Sequence, residues 1–464
     1  MTQFPNDPLR RAAGLHGSRT AVALPGEVVT WSRLDRAVDR AARALAAHGI
    51  GPGTIVAFRA PTDLATIVVM HALWRLSAVA APIGVRLPHD GFRAAVQNLG
   101  SPVVLAPKEV EAIAREASND SQGPVGPIRT GRGVSRAATA VFTSGTSGEP
   151  KAAVHRLAAH LASAAGAAEA LAFGEESRWM LALPLHHVGG LAILFRAAFT
   201  GGSVALAEPG EDPFDACART RSTHLSLVST QLVRGLAAGR GPGPGIACLL
   251  LGGGPIPSEA VEEAERRGWP VSASYGLTES ASLVTATRPG VPDAAATSAG
   301  RPLPGRRVRI GPGSIIQVAG RTLADGYLVA GVLEPLRGQD GWFATGDLGT
   351  WDDAGRLVVT GRADAMFVSG GENVHPEVVE RIIGAVPGVR QVVVVPVPDA
   401  EFGARPVAFV DGDAAHAALR EAVLARLPAF MAPVAWLPWP AELAEAGIKP
   451  SRRELAERAR RSAP

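Results

Sequence analysis

The chain has 464 residues, of which 47% are hydrophobic, so it is long enough for more than one domain with a buried core. Its formal net charge is only +3, and no clustered basic run accompanies it, which argues against a nucleic-acid-binding protein. The two cysteines, Cys217 and Cys248, lie far apart in apolar surroundings without metal-ligand spacing. We expect both to be buried and reduced, as in a cytoplasmic protein.

The N-terminal residues and the most apolar segment both argue against a membrane protein. Residues 1–14 lack the apolar core region of a signal peptide. The most hydrophobic stretch, residues 64–85, carries His71 and Arg75 and therefore predicts a buried helix that runs on towards a strand. We expect a soluble, cytoplasmic protein.

Taken in chain order, the hydrophobic pattern predicts an α/β fold. Residues 31–47 have helical periodicity and are followed by glycines that are typical stop signals. After an alanine-rich helix at residues 156–172, strand and helix candidates alternate, as in layered sheets of largely parallel strands. Beyond residue 361 the pattern predicts a compact α+β unit. We therefore predict a large N-terminal domain over residues 1–361 and a smaller, mobile α+β domain over residues 362–464.

A loop rich in hydroxyl groups and glycines, TSGTSGEPK, begins at Thr143 and ends at Lys151. Gly145 and Gly148 let the backbone turn so that several N–H groups can point at one anion. Lys151 adds a compact positive charge. Hydroxyl donors come from Thr143, Ser144, Thr146 and Ser147. This loop does not match the Walker pattern, because a proline precedes the lysine and an alanine follows it. The residues on both sides of the loop are also predicted to form strands. The loop favours polyphosphate binding, although a polar surface hairpin explains the same residues.

Lysine is rare in this chain. Among its 46 lysines and arginines, only Lys108, Lys151 and Lys449 are lysines. A codon bias towards arginine explains that ratio. Under such a bias, a lysine that persists indicates a site that needs a compact ammonium group rather than a guanidinium.

Four further segments place polar side chains next to glycines. LLLGGGPIP puts Gly252, Gly253 and Gly254 after a buried strand, where a flat ring can lie against bare backbone. SYGLTES offers an aromatic face, a hydroxyl and the carboxylate of Glu279, and ATGDLG contains Asp347. GRADAMFVSGGENVHPEVVE follows, and GIKPSRREL carries Lys449. Taken singly, each of these residues has a purely structural explanation. The aspartate is explained as a turn former, the glutamate as an acid in the first turn of a helix, the tyrosine as a core aromatic and the lysine as a solvated surface residue.

In this order and spacing, the hydroxyl-rich loop and these segments resemble the adenylate-forming superfamily of acyl-CoA synthetases, peptide-synthetase adenylation domains and luciferases. The resemblance covers nearly the whole chain. It implies that a carboxylate attacks the α-phosphate of ATP, that pyrophosphate leaves, and that a thiol then cleaves the acyl-adenylate. Such chemistry depends mainly on positioning and on stabilisation of negative charge.

The resemblance implies a role for each matching residue. The hydroxyl-rich loop would hold the β- and γ-phosphates, Glu279 would be the ligand of Mg²⁺, and Thr278 would touch the α-phosphate. Adenine would stack between Tyr275 and the glycine strip 252–254, and Asp347 would accept both ribose hydroxyls with help from Arg362. The nucleotide-binding residues implied in this way are Thr143, Ser144, Gly145, Thr146, Ser147, Gly148, Lys151, Gly252, Gly253, Gly254, Ser274, Tyr275, Gly276, Asp347 and Arg362.

The C-terminal segments are implied to serve two successive steps. Lys449 precedes a proline, which favours an extended backbone, and Ser451 with Glu454 forms a capping box that predicts a helix directly after it. The resemblance implies that Lys449 bridges the substrate carboxylate and the α-phosphate. The implied catalytic residues are Lys449, Thr278 and Glu279. The C-terminal domain would then rotate about the hinge residue Asp364, withdrawing Lys449. It would bring in the path for coenzyme A, formed by Ser369, Gly370, Gly371 and Glu372.

Several segments narrow the resemblance to the family of 2-succinylbenzoate–CoA ligases of menaquinone biosynthesis. They are THLSLVSTQL, LPLHHVGGL, LGGGPIP, EFGARPVAF and AELAEAGIKPSR, and SGGENVHP likewise favours coenzyme A as the thiol. The implied substrate has an aromatic ring, a ketone and two carboxylates. It would contact His187, Ser226 and Thr278. We leave His186 out of the predicted site, because a lone histidine is more often a core or surface group than a ligand.

The expected function is therefore that of an acid–thiol ligase that uses ATP, Mg²⁺ and coenzyme A. Its partners would be small molecules, without nucleic acid or a membrane span, and the sequence leaves a homo-oligomer open. Two further interpretations also stay open: a CoA ligase for another aryl or short acyl acid, and an adenylating module that loads a carrier protein. The presence of Lys449, Glu279 and Asp347 argues against a nucleotide-binding protein without turnover.

Overall fold

The computed structural model describes residues 4–118, 133–143, 151–291, 294–440 and 452–462. Its strands in chain order are β1 Thr20–Leu24, β2 Glu27–Thr30, β3 Ile55–Arg59, β4 Val79–Ile83, β5 Val103–Leu105, β6 Ala137–Thr143, β7 Lys151–Arg156, β8 Arg178–Met180, β9 Ser203–Ala205, β10 His224–Leu227, β11 Cys248–Leu251, β12 Val271–Leu277, β13 Ser282–Ala286, β14 Arg301–Pro302, β15 Arg306–Ile310, β16 Ile315–Gly320, β17 Gly326–Val329, β18 Val332–Pro335, β19 Phe343–Trp351, β20 Leu357–Arg362, β21 Phe367–Ser369, β22 Glu372–Val374, β23 Val389–Asp399, β24 Gly403–Gly412 and β25 Ala435–Pro438.

The helices of the same residues are α1 Pro8–His16, α2 Trp31–Ala47, α3 Leu64–Arg75, α4 His89–Asn98, α5 Pro107–Ala117, α6 Leu157–Ala170, α7 Val188–Thr200, α8 Pro213–Arg219, α9 Ser229–Ala237, α10 Ser258–Arg266, α11 Ala294–Thr297, α12 Pro376–Gly384, α13 His416–Leu424 and α14 Arg452–Ser462. Short 3₁₀ turns lie at Thr278–Ser280, Pro312–Ser314 and Ala429–Met431. The predicted α/β class, with a large N-terminal part and a smaller C-terminal part, is confirmed.

A nine-stranded sheet organises the N-terminal part, in the order β14-β13-β12-β11-β10-β8-β9-β1-β2. The strands from β12 to β1 run parallel, whereas β2, β13 and β14 pair antiparallel at the edges. Strands β10 and β11 are buried throughout, as the central strands of a parallel sheet are. The carboxyl ends of β10, β11 and β12 therefore meet at one edge of the sheet, where ligands of α/β proteins commonly bind.

The second large sheet has seven strands in the order β18-β17-β7-β6-β4-β3-β5. Strands β3 to β6 pair parallel, and β6, β7, β17 and β18 pair antiparallel. The expectation of largely parallel sheets therefore holds for the centre of the nine-stranded sheet and is wrong for half of this one. The reason is that hairpins, rather than helical crossovers, connect β6 with β7 and β17 with β18.

Helix α2 illustrates how the sequence builds the layers between the sheets. The helix begins after Thr30, whose side-chain oxygen accepts a hydrogen bond from the amide of Arg33 over 3.3 Å. Leu34, Val38 and Leu45 recur at helical spacing and are buried in the main hydrophobic core together with α3, α6 and α7. Each such side chain stabilises the fold by about 1.5–3 kcal/mol.

Four antiparallel strands, in the order β15-β16-β19-β20, form a smaller sheet. Its ladder places Asp347 of β19 opposite Arg362, the last residue of β20. The remaining strands form the β21–β22 hairpin and the sheet β23-β24-β25. These last strands and the helices α12 to α14 contribute to two hydrophobic clusters that contain only residues between 367 and 459. The boundary between residues 361 and 362 stays a prediction.

The cysteines behave as expected. Cys217 and Cys248 are free and buried, and burial raises the pKa of each thiol to about 12. None of the helices described in the ranges above has both the length and the apolar character needed to cross a membrane.

Candidate active site

The hydroxyl-rich loop connects two paired strands. Thr143 ends β6, Lys151 begins β7, and the two residues face each other in the ladder, so the predicted flanking strands are confirmed. Thr143 Oγ1 donates to the carbonyl oxygen of Lys151 over 3.4 Å. Lys151 Nζ lies 5.8 Å from the ring centre of Tyr327. The other predicted loop residues, Ser144, Gly145, Thr146, Ser147 and Gly148, lie outside the described residues.

The glycine strip 252–254 follows β11 and lies beside the end of β12. Ser274 Oγ donates to the carbonyl oxygen of Leu251 over 2.7 Å, and a Cβ on Gly252 would lie 2.7 Å from that Oγ. Gly253 has a φ of +83°, a region that favours glycine. A Cβ on Gly276 would lie 2.4 Å from the carbonyl oxygen of Ser282. Glycine is therefore favoured by the Ser274 side chain at 252, by the positive φ at 253 and by the Ser282 backbone at 276. The adenine contact stays a prediction.

Tyr275, Asp347 and Arg362 are joined by hydrogen bonds. The hydroxyl of Tyr275 donates to Asp347 Oδ2 over 2.6 Å, and Arg362 Nη1 donates to Asp347 Oδ1 over 2.9 Å. Burial and the charge of Asp347 hold the pKa of Tyr275 well above its usual value, so the phenol stays a donor. The structure thus brings together three residues that the sequence placed at the adenosine end of ATP.

The predicted hinge residue belongs to the same network. Arg362 donates to both carboxylate oxygens of Asp364, over 2.7 Å from Nε and 2.8 Å from Nη2. The hydrogen bond with Asp364 and the charge of Asp347 raise the pKa of Arg362. One guanidinium therefore links the predicted ribose acceptor to the predicted pivot.

Glu279 is held by a tyrosine that the sequence motifs do not contain. It lies in the 3₁₀ turn Thr278–Ser280 directly after β12, and the amide of Ala324 donates to its backbone carbonyl over 2.8 Å. The hydroxyl of Tyr327 on β17 donates to Glu279 Oε1 over 2.5 Å. Burial and the charge of Glu279 raise the pKa of Tyr327. Tyr327 is thus a site residue that the sequence analysis missed.

The chemistry of Glu279 suits the predicted magnesium ion. A carboxylate oxygen is the kind of hard ligand that Mg²⁺ prefers, together with phosphate oxygens and water. Within the described ranges, no group of three or more His, Cys, Asp or Glu side chains is placed to hold a metal ion. A magnesium ion bound by Glu279 would therefore depend on the phosphates of ATP for other ligands.

The predicted acyl-site residues lie on β10 and at the start of α7. Ser226 Oγ accepts a hydrogen bond from the indole N–H of Trp179 over 3.0 Å. His187 is the residue before α7, and its ring centre lies 4.2 Å from that of His186. Burial lowers the pKa of both imidazoles, for His186 to about 4. Both rings are therefore neutral near neutral pH.

Arg196 is a second residue that the motifs missed. It is 1% exposed, its guanidinium carbon lies 4.7 Å from the ring centre of Trp179, and Nη2 donates to Ser282 Oγ over 3.3 Å. Its Nε has no hydrogen-bond partner among the described residues. Burial lowers the pKa of the guanidinium to about 10. A charge inside the apolar run VGGLAILFRAAF was the sequence signal for this residue.

The predicted coenzyme A segment forms the turn of the β21–β22 hairpin. Ser369 faces Glu372 across it, and Gly370 and Gly371 have φ values of +60° and +85°, as two-residue hairpin turns require. The amide of Gly370 donates to the carbonyl oxygen of Phe402 over 2.9 Å. That this hairpin turn guides the thiol of coenzyme A stays a prediction.

Lys449 and Ser451 lie outside the described residues, and helix α14 is described from Arg452 onward. Arg452 donates to Glu377 Oε1 over 2.9 Å and to Glu380 Oε2 over 2.8 Å. The segment that follows Lys449 is thus anchored to α12 by a half-buried ion-pair cluster, while the role of the lysine stays a prediction.

Two family models match most of the chain. A family model described as AMP-binding enzyme matches residues 9–328, and one described as AMP-binding enzyme C-terminal domain matches residues 378–442. The 2-succinylbenzoate–CoA ligase of Salmonella typhimurium is 38% identical over 98% of each chain.

Two solved structures are similar along most of their length. One is o-succinylbenzoate CoA synthetase from Bacillus subtilis in complex with its acyl-adenylate intermediate, with a TM-score of 0.86, 29% identity and 98% of each chain covered. The other is the same enzyme in complex with ATP and magnesium ion, with a TM-score of 0.82, 29% identity, and 93% of this chain and 95% of that one covered. Matches of this extent confirm the resemblance found in the sequence, and the chain belongs to the AMP-binding enzyme family.

Proposed function

We propose that this protein is an ATP-dependent acid–CoA ligase. It converts 2-succinylbenzoate to its CoA thioester through an acyl-adenylate, with release of pyrophosphate and AMP, in menaquinone biosynthesis. The observation that carries the proposal is the similarity to a 2-succinylbenzoate–CoA ligase over 98% of both chains. The cytoplasmic location and the oligomeric state stay predictions.

The network around Asp347 supports the ATP part of the proposal. A carboxylate has about four lone-pair sites, so Asp347 can keep its bonds to Tyr275 and Arg362 and still accept from ribose hydroxyls. Lys151 and the turn that carries Thr278 and Glu279 meet at Tyr327, which suits the phosphate end. When bound, Mg²⁺ would neutralise charge on the phosphates, and Glu279 would hold it.

The buried cation near Ser226 supports a substrate with two carboxylates. One carboxylate reacts, and the other needs a partner inside a largely apolar pocket. Arg196 is buried, its Nε has no hydrogen-bond partner among the described residues, and Trp179 contacts both Arg196 and Ser226. A ligand carboxylate at this end, directly or through a water molecule, would offset the cost of burying the guanidinium.

Acid-dependent pyrophosphate exchange across a panel of acids tests the proposal. We expect the highest kcat/KM with 2-succinylbenzoate, and a higher value with benzoate or a fatty acid would refute the assigned acid while leaving the reaction class. Transfer to free CoA rather than to a pantetheinyl carrier protein separates the ligase from a carrier-loading module. Ser226→Ala should raise KM more than it lowers kcat if the hydroxyl only anchors the acid.

The variant Arg196→Met sharpens the test of the second carboxylate. Methionine replaces the apolar stem of the arginine without its charge. The variant should narrow the preference for 2-succinylbenzoate over a monocarboxylic acid by about 10- to 100-fold, the scale of one charge-assisted hydrogen bond. An unchanged preference in a folded variant would show that the second carboxylate is bound elsewhere.

A further inference from the structure

A chain of buried polar side chains runs from α6 through β6 and β7 to the turn that carries Thr278 and Glu279. His155 Nε2 lies 2.8 Å from the carbonyl oxygen of Thr278. Thr139 Oγ1 lies 3.5 Å from His155 Nδ1 and 2.8 Å from His160 Nε2. The three side chains of this chain are at most 1% exposed. The family motifs used above contain none of them.

The hydrogen positions follow from the acceptor at one end. A carbonyl only accepts, so His155 Nε2 carries the proton and its Nδ1 accepts from the hydroxyl of Thr139. That hydroxyl then accepts from the Nε2–H of His160. The arrangement leaves only an acceptor, His160 Nδ1, without a partner among the described residues. If the hydroxyl of Thr139 instead donated to His160 Nε2, the proton of His160 would be on Nδ1. That buried N–H would then have no partner among the described residues, which proteins rarely tolerate.

Burial keeps both imidazoles in the neutral form that this arrangement needs. It lowers the pKa of His155 to about 4, against the opposing effect of the hydrogen bond to Thr278. Burial also holds the pKa of His160 well below its usual value. The chain is therefore a set of fixed hydrogen bonds near neutral pH and not a titrating switch.

The turn that receives the hydrogen bond has a strained backbone. Ala281 and Ser282, directly after the 3₁₀ turn, have φ values of +52° and +102° although neither is glycine. Such conformations persist only where the surroundings hold them. Here the Thr278 carbonyl accepts from the amide of Ala281 over 3.1 Å as well as from His155, and Ser163 Oγ donates to the carbonyl of Ala281 over 2.6 Å. His155 is thus one of the contacts that define the turn.

We propose that His155 is a positioning residue for adenylation, because its Nε2–H fixes the Thr278 carbonyl and thereby aims the hydroxyl of Thr278 and the carboxylate of Glu279. The inference rests on the proposed function for the roles of those two residues. Strand β7 also begins with Lys151, so one strand ties the hydroxyl-rich loop to the turn. Loss of the contact should affect alignment more than binding, and therefore kcat more than KM.

Three variants, two of His155 and one of a matched histidine, test the proposal by pyrophosphate exchange. His155→Leu should lower kcat by about 10²-fold, the cost of a 1 Å misplacement, with the KM for ATP nearly unchanged. His155→Gln should restore most of the rate, because its amide N–H can reach the same carbonyl. His224→Leu is the control: His224 is also fully buried, with Nε2 2.9 Å from the carbonyl of Leu171, and its loss should leave kcat unchanged. A wild-type kcat in His155→Leu, or equal losses in all three variants, would overturn the proposal.

A second measurement does not depend on the acid. Hydrogen–deuterium exchange of the peptide covering residues 275–284 should be about fivefold faster in His155→Leu, the effect expected for one lost hydrogen bond, and unchanged in the Gln and His224 variants. If His155→Leu does not fold, Thr139→Val, which has nearly the same shape, replaces it in both assays. If the wild-type protein showed no acid-dependent pyrophosphate exchange, the proposed function would be refuted, but the role of His155 in holding the turn would not. Unaltered protection of the turn would refute the role of His155.

Discussion

Replacing Asp347 by alanine removes a carboxylate that the structure ties to two predicted residues of the nucleotide site. Its two oxygens accept from Tyr275 and Arg362, and by the proposed function they also accept from the ribose hydroxyls. Asp347→Ala therefore deletes the proposed ribose acceptor and changes no other predicted nucleotide-binding residue.

The expected loss of ATP affinity follows from the hydrogen bonds removed. Hydrogen bonds to a charged group are worth about 1.5–3 kcal/mol each, and part of that value is lost because water replaces the ligand in the free protein. Two such bonds give a net loss of about 2–4 kcal/mol, which corresponds to about a 30- to 700-fold rise in the Kd for ATP at 1.4 kcal/mol per tenfold. The free energy of unfolding should also fall, since the hydroxyl of Tyr275 loses its acceptor.

Isothermal titration calorimetry with ATP measures the Kd, and thermal unfolding reports the stability of the same samples. Asp352→Ala is the matched control. Asp352 directly follows the same strand, β19, and it accepts from the side chain and the amide of Arg356. This control should cost stability without changing the Kd. An unchanged ATP affinity in folded Asp347→Ala would show that the aspartate has only a structural role, and the proposed ribose site would be wrong.

Lys449→Ala should lower acid-dependent pyrophosphate exchange by about two to three orders of magnitude, the scale for removing an electrostatic stabiliser, and leave the reaction of pre-made acyl-adenylate with CoA nearly unchanged. Equal loss in both half-reactions would contradict the two-orientation mechanism. Asp364→Pro, which stiffens the backbone at the predicted hinge, should leave pyrophosphate exchange nearly unchanged and lower the rate of the reaction of acyl-adenylate with CoA. Tyr327→Phe should raise the Mg²⁺ concentration for half-maximal exchange about tenfold, as loss of a hydrogen bond to a metal ligand does. An unaltered Mg²⁺ requirement would argue against Glu279 as that ligand.

Local patterns in the sequence predicted the parts of the site that lie on one segment. The strands on either side of the hydroxyl-rich loop are apolar and short, and they form the β6–β7 hairpin as expected. The pairing of Asp347 with Arg362 joins two motifs that are close in sequence. Such features depend on neighbours within about fifteen residues, where periodicity and turn residues carry the information.

Contacts between distant segments could not be predicted in this way. Tyr327 meets Glu279 only because β17 pairs with β7, which was not deducible from the residues of either strand. His155 of β7 contacts Thr278, which follows β12, so this contact joins the two large sheets and depends on how they pack. Arg196 carried a signal, because it is a charge inside an apolar run. That run does not tell which side chains from other segments will surround the arginine. The mixed direction of the strands likewise depends on connections that the pattern alone leaves open.

The guanidinium shared by Asp347 and Asp364 has a thermodynamic consequence. Arg362 contacts both acids at once, so any rotation that moves Asp364 relative to Asp347 changes the contacts of a group in the predicted nucleotide site. Linkage then requires reciprocity: the factor by which a change of orientation alters nucleotide affinity equals the factor by which the nucleotide alters the population of that orientation. By the proposed function, ATP and AMP would bind beside this arginine with different charges. They therefore need not favour the same predicted orientation, and release of pyrophosphate would bias the equilibrium between the two orientations.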